Sequence, residues 1–253
     1  MYCLLLCLGM NISYAQVESK DEAVQLIKIA TGESYFPFVD SSFLLGGWSK
    51  ALVEATFSLM SVEVSFEILP WDRGLKWTQE AKSLGAFPYI ASKQRSEKFL
   101  YSLPINFVPV RLYVASDSAF NRIEDIQGKR LCIPHGYSIG KAEQTVIDQF
   151  AMTINRAKDG IGCVGQVQRG WSDAGLTNGY IQAIKLRHQT ETEDPIRIFP
   201  QALSSEPLYF LISKSYPDAQ LWMDRFNQAF VQLAQNGQKQ QIDQLFLAAL
   251  SKQ

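Results

Sequence analysis

Between Pro70 and Pro104 the chain reads P-W-D-R-G-L, a spacer, and then F-P-Y-I-A-S-K-Q-R-S-E-K-F-L-Y-S-L-P. Arg95 follows a short polar turn that itself follows an apolar run, with aromatic residues close by. A guanidinium presented there is suited to gripping a small carboxylate, because its planar fork matches two carboxylate oxygens and it does not lose its charge. The plainer reading is a surface arginine paired with Glu97, which contributes little. Tyr35, Trp48, Trp71 and Tyr89 are candidate walls for the same pocket, each bringing apolar area and a polar tip. Aromatic residues also serve simply as core. Asp72 and Arg73 either pair with each other or reach a ligand. Further on, Gly136, Tyr137 and Ser138 precede a helix. Their amides, the hydroxyl and the helix N-terminus suit an anion or a carbonyl, although Ser138 could equally do no more than cap the helix.

Groups able to do covalent chemistry are scarce. The chain has two histidines, His135 and His188, and four cysteines. No Ser-His-Asp or Cys-His arrangement, H-E-x-x-H, P-loop or G-x-G-x-x-G can be argued. The histidine and cysteine spacing matches no zinc pattern. The residues therefore point to binding, with no catalytic residue, cofactor or metal expected. A net charge of −1 gives no electrostatic case for nucleic acid or an anionic membrane surface.

The elements that must hold these residues read as α/β. Leu26 to Ala30 is a strand ending in the turn T-G-E-S. Gly46-Gly47 opens a helix whose apolar face carries Leu52, Val53, Phe57 and Met60. Val62 to Ile68 alternates as a half-buried strand. A helix follows over Gly74–Ala81 and a strand over Gly85–Ile90, an order that favours a mostly parallel sheet. Val108 to Ser116 is a further strand. A second strand–loop–helix unit starts at Gly128 and implies a second lobe. Asn155 to Gly179 is glycine-rich and carries no readable period. Ile181–Leu186, Ile196–Phe199 and Leu208–Ser213 read as separate strands. Trp222, Phe226, Ala229, Phe230 and Leu233 form the stripe of a long helix stopped by Asn236-Gly237, and a last helix packs through Ile242, Leu245 and Phe246.

The chain has 253 residues, 47% hydrophobic and 19% charged, an ordinary globular composition that suits one large domain or two smaller lobes. Residues 1–15 stand apart: they carry no charge, hold a short apolar run and end Ser13-Tyr14-Ala15. This reads as a secretory signal peptide cut after Ala15, too short to span a bilayer. The alternatives are a buried N-terminal element and, against the bulk of Leu5 and Leu6 before it, a lipoprotein anchor at Cys7. Cleavage would remove Cys3 and Cys7, leaving Cys132 and Cys163. In an oxidising compartment an even pair suggests one disulfide, the alternative being two buried thiols.

Five stretches in order resemble the type II periplasmic solute-binding proteins, the family that includes the polar amino-acid receptors of ABC importers. They are T-G-E-S-Y-F-P-F with G-G-W-S-K-A-L-V-E-A-T-F; L-P-W-D-R-G-L; F-P-Y-I-A-S-K-Q-R-S-E-K-F-L-Y-S-L-P-I; I-E-D-I-Q-G-K-R-L-C-I-P-H-G-Y-S; and L-I-S-K-S-Y-P-D-A through N-Q-A-F-V-Q-L-A-Q-N-G. The resemblance implies two mixed sheets flanked by helices and joined by two hinge strands. Lobe one would comprise 16–113 plus 206–253 and lobe two 114–205, closing on a ligand between them. It implies a periplasmic monomer that captures a small polar or carboxylate-bearing solute and delivers it to an ABC-importer permease. The alternative is a ligand-sensing module for a chemoreceptor or sensor kinase. Where the amino-acid receptors carry an ammonium-binding aspartate in lobe two, this chain has Gln182; where they carry one before F-P-Y, it has Leu84-Gly85. The ligand set expected is Tyr35, Trp48, Trp71, Tyr89, Arg95, Tyr137, Ser138 and Gln182. Mass spectrometry of the exported protein should find its N-terminus at Gln16; an N-terminus at Met1 would reject the signal reading.

Overall fold

The computed structural model describes residues 26–135, 137–180 and 196–252. The signal-peptide stretch, Gly136, Gln182 and the strand expected over Ile181–Leu186 lie outside the described residues.

The chain opens β1 (Ile27–Thr31), α1 (Trp48–Leu59), β2 (Val64–Ile68), α2 (Trp71–Gln79) and β3 (Gly85–Ile90). β1 pairs in parallel with both β2 and β3. It lies inside the sheet, and four of its five residues are buried, as a strand covered on both faces requires. A short helix α3 (Lys93–Lys98) leads into β4 (Phe99–Tyr101) and the long β5 (Asn106–Ala115). The second unit is β6 (Arg130–Pro134), α4 (Lys141–Gln149), β7 (Thr153–Ala157), α5 (Gly160–Gln168) and β8 (Ala174–Asn178). β9 (Ile196–Ser213), α6 (Ala219–Gln235) and α7 (Gln238–Leu250) complete the described chain.

One expectation is corrected here. Ile196–Phe199 and Leu208–Ser213 are not separate strands but the two ends of β9, which runs for 18 residues. The reason is its partner: β5 pairs with it antiparallel from Asn106↔Leu208 to Ala115↔Ile196, absorbing two register shifts near Arg111. The strands of the described residues follow one path, β2-β1-β3-β9-β5-β8-β6-β7, with β4 also on β9, so β5 and β9 join the strands of the first unit to those of the second as expected.

The hydrophobic core is nevertheless divided. One cluster joins β1, α1 and β3 to the first residues of β5, the end of β9 and the C-terminal helices. Within it Phe226 on α6 stacks on Phe210 at 4.6 Å and meets Phe57 at a tilt, 5.4 Å away. A second cluster joins Leu112, Val114, Leu131, Ile133, Ile147 and Phe199. The stripe expected on α6 is buried at Phe226, Ala229, Phe230 and Leu233, and Phe246 of α7 is fully buried beside it.

The unreadable stretch proves regular. In α5 the run G-I-G-C-V-G has poor helical propensity. It forms because Asp159 caps it, accepting from Gly162 N at 2.8 Å, and because Cys163, Val164 and Val167 are buried. Cys163 is disulfide-bonded to Cys132 of β6, 31 residues away. Closing a loop of that length contributes roughly 3–4 kcal/mol by chain entropy. Phe226→Ala should destabilise the protein by about 3–5 kcal/mol through the cavity it leaves. A chemical-denaturation midpoint unchanged from wild type would contradict this picture of the core.

Candidate ligand-binding cleft

The arginine singled out in the sequence is positioned by a short helix, α3. Ser92 caps α3 by accepting from Arg95 N, at 3.3 Å. This turns the Arg95 side chain back over the end of β3, where Nη1 donates to Ile90 O at 2.9 Å. The guanidinium lies 5.1 Å from the centre of the Tyr89 ring. It makes no ion pair among the described residues, with Glu97 or any other acid. Burial pulls its pKa down, against the opposing pull of Tyr101, Tyr89 and Asp72. A desolvated cation with one carbonyl partner and free donors is suited to an anion.

The aromatic wall is built edge to face. Trp71 opens α2, and its ring meets Tyr89 at 5.7 Å and Tyr35 at 5.8 Å, both nearly perpendicular. Tyr89 Oη donates to Trp71 O at 2.8 Å and ties β3 to the start of α2. The indole lies against Gly32, where any Cβ would overlap the ring, so the glycine of the T-G-E-S turn makes room for Trp71. Burial raises the pKa of both Tyr35 and Tyr89, with Glu143 adding at Tyr35 and Asp72 adding at Tyr89 against the pull of Arg95, so both hydroxyls stay protonated.

The opposite wall comes from the loop between β6 and α4. Tyr137 and Ser138 project from it, and Tyr137 Oη donates to Glu143 Oε1 at 2.6 Å. Ser138 does not cap α4. The helix starts at Lys141 behind Gly140, whose N–H donates to Glu143 Oε2 at 2.8 Å.

Tyr35, Trp71, Tyr89, Arg95, Tyr137 and Ser138 thus line a single cavity of about 420 Å³. Asp72 also lines it and has no ion pair with Arg73 or other described residues. Sequence reading missed Ser34, Pro70, Pro88, Ile90, Pro134, His135 and Leu208, which complete the lining. Each lies at or just beyond a strand end already recognised, so proximity to those ends was the available signal. Trp48 is a correction. It is 7% exposed and stacked between Phe246 at 5.8 Å and Phe38 at 6.3 Å, with Nε1 donating to Asp243. It starts α1 on the side facing α7, so its ring is spent in the core. The described residues hold no cluster suited to a metal ion and no helix long and apolar enough to cross a membrane.

Several solved structures share this fold. A probable amino-acid ABC transporter extracellular-binding protein from Bacillus subtilis is 20% identical, with 87% of this chain and 96% of that one covered at a TM-score of 0.67. An arginine transport-system periplasmic binding protein from Legionella pneumophila is 15% identical over 87% and 98% at 0.70. A histidine kinase sensor domain with similarity to periplasmic binding proteins is 14% identical over 88% and 96% at 0.68. A search of curated proteins finds no match. The family model for bacterial extracellular solute-binding proteins, family 3, matches residues 27–249. With that match spanning nearly the whole described chain, and with the type II periplasmic-binding fold around an unpaired arginine, the protein belongs to the bacterial extracellular solute-binding proteins of family 3.

Proposed function

We propose that this protein captures a small carboxylate-bearing solute, an amino acid or a molecule like one, and hands it to the permease of an ABC importer. The observation that carries the reading is Arg95: a part-buried guanidinium without an acidic partner, at the edge of an aromatic cavity. The ligand carboxylate takes the free guanidinium donors. Tyr35, Trp71 and Tyr89 pack against its apolar part, and Tyr137 and Ser138 contact it from the other side. Asp72 offers the cavity a negative charge, which compensates for the aspartates that the resemblance led one to expect near Gln182 and Leu84-Gly85.

In this reading lobe one is 16–113 plus 206–253 and lobe two is 114–205, with β5 and β9 as the hinge. Ligand that touches both walls favours the closed arrangement over the open one. The protein works in the periplasm as a monomer, after cleavage following Ala15, and has no enzymatic activity. A second reading, a sensing module read by a chemoreceptor or sensor kinase, is favoured by the likeness to a kinase sensor domain. Loss of uptake of the identified solute in cells lacking the protein supports import; unchanged uptake supports sensing.

The test is a thermal-shift screen of residues 16–253 against amino acids, organic acids, short peptides and polyamines. A ligand present at a hundredfold over its Kd adds about 2.7 kcal/mol. A carboxylate-bearing hit is expected, and Arg95→Ala should weaken it by roughly 2–5 kcal/mol, the scale for losing one partner of a buried charge pair. A hit that lacks a carboxylate, or an unchanged Kd in the Arg95 variant by calorimetry, overturns the assignment.

A further inference from the structure

Behind the Tyr137 wall lie two carboxylates that solute capture does not use. Glu143 of α4 is fully buried, and Glu206 of β9 is 4% exposed. Glutamates are almost never buried to this degree unless paired. Yet no lysine, arginine or histidine of the described residues forms an ion pair with either one. Glu206 Oε1 is buried and has no hydrogen-bond partner. The carboxylate of Glu206 lies against Gly140, where a Cβ would overlap it. The same Gly140 donates its N–H to Glu143 Oε2. The two acids therefore meet across one glycine that leaves room for them.

Burial of a carboxylate disfavours its charged form, and a second carboxylate beside it adds to that cost. We propose that Glu143 is a proton-binding site behind the cleft, with Glu206 as the neighbouring carboxylate that favours its protonated form, and that the bound proton sets the direction of the Tyr137 hydrogen bond. With Glu143 ionised, both its oxygens are acceptors, occupied by Tyr137 Oη–H and Gly140 N–H. When a proton from solvent binds Glu143 Oε1, that oxygen becomes a donor to Tyr137 Oη. The tyrosine hydrogen is then released toward the cleft. Raising the pH returns the proton to solvent and reverses the arrangement.

The titratable groups facing Glu143 are Glu206 from β9, Tyr137 from the β6–α4 loop and Tyr35 from the loop after β1. Burial lifts the Glu143 pKa from 4.5 to about 7 and Glu206 adds to the rise, while the bonds from Tyr137 and Gly140 oppose it. The folded protein therefore holds a proton that the unfolded chain has already released between these two values. This contribution to stability is complete below pH 4.5 and is lost as pH rises through about 7. The proton site stands independently of the solute reading; only its effect on capture depends on that reading.

The test needs no solute. Carbon-detected NMR of protein labelled at the glutamate carboxyl carbons is followed from pH 4 to 9. One carboxyl should titrate near 7, far above the usual glutamate range of about 4.3. That signal should vanish in Glu143→Gln, move down in Glu206→Gln, where the like charge is gone, and move up in Tyr137→Phe, where a donor is gone. The last two variants keep the test open if the first does not fold. The melting temperature should fall between pH 5 and 8 in wild type and fall less in Glu206→Gln. Titration of every glutamate in the ordinary range, or a high midpoint unmoved by Glu206→Gln and Tyr137→Phe, would overturn the proposal.

Discussion

The antiparallel pairing of β5 with β9 is the constraint on which the rest depends. These strands hold each other from Asn106↔Leu208 to Ala115↔Ile196 and pass between two separate hydrophobic clusters. Their early and late ends belong to different cores. Their middle, around Arg111, carries two register shifts where the ladder is locally disrupted. Because both crossings are strands, the backbone groups between the two cores are paired in the sheet and need no other cover. The same two strands bring the aromatic wall around Trp71 opposite the loop bearing Tyr137.

Several charged groups of the described residues lack a partner, while others are satisfied: Arg130, for example, makes two hydrogen bonds to Asp173 across the loops beside β6 and β8, whereas Arg111 Nε in the middle of β5 is buried without one. In the cleft Arg95 has a carbonyl and a ring face but no acid, and behind it two carboxylates sit without a base. An interior that leaves a cation and an acidic pair uncompensated is destabilised locally. Such sites are tolerated where binding of a ligand or a proton supplies the missing partner.

Much of this was legible along the chain. The alternation over Val62–Ile68 and the stripe on the long C-terminal helix are readable as periods, and the apolar run Gly85–Ile90 as a strand buried along its whole length. The position of Arg95 after a polar turn was enough to single it out, and Trp71 and Tyr89 were identified beside it. Other features were hidden for definite reasons. The glycine-rich α5 forms against its own propensity, held by Asp159 and by burial of Cys163. β9 looked like two strands because Pro207 and the polar S-S-E interrupt its pattern, and only the matching length of β5 makes it one. Trp48 had the composition of a pocket wall, but the approach of α7 from nearly two hundred residues away put Phe246 on its face.

What the sequence alone determined is local: which segments are strands or helices, and which side chains carry charge where no core is possible. Periodicity, turn chemistry and composition act over a few residues, and those can be read without a partner. The tertiary structure decided everything that depends on which surfaces meet. It selected Tyr35, Trp71, Tyr89 and Arg95 for one cavity and assigned Trp48 to the core. It also brought Glu143 and Glu206, 63 positions apart, to either side of Gly140. Burial and desolvation arise only from such long-range contacts, so the acidity of a side chain is set by its neighbours in space and not by its neighbours in sequence.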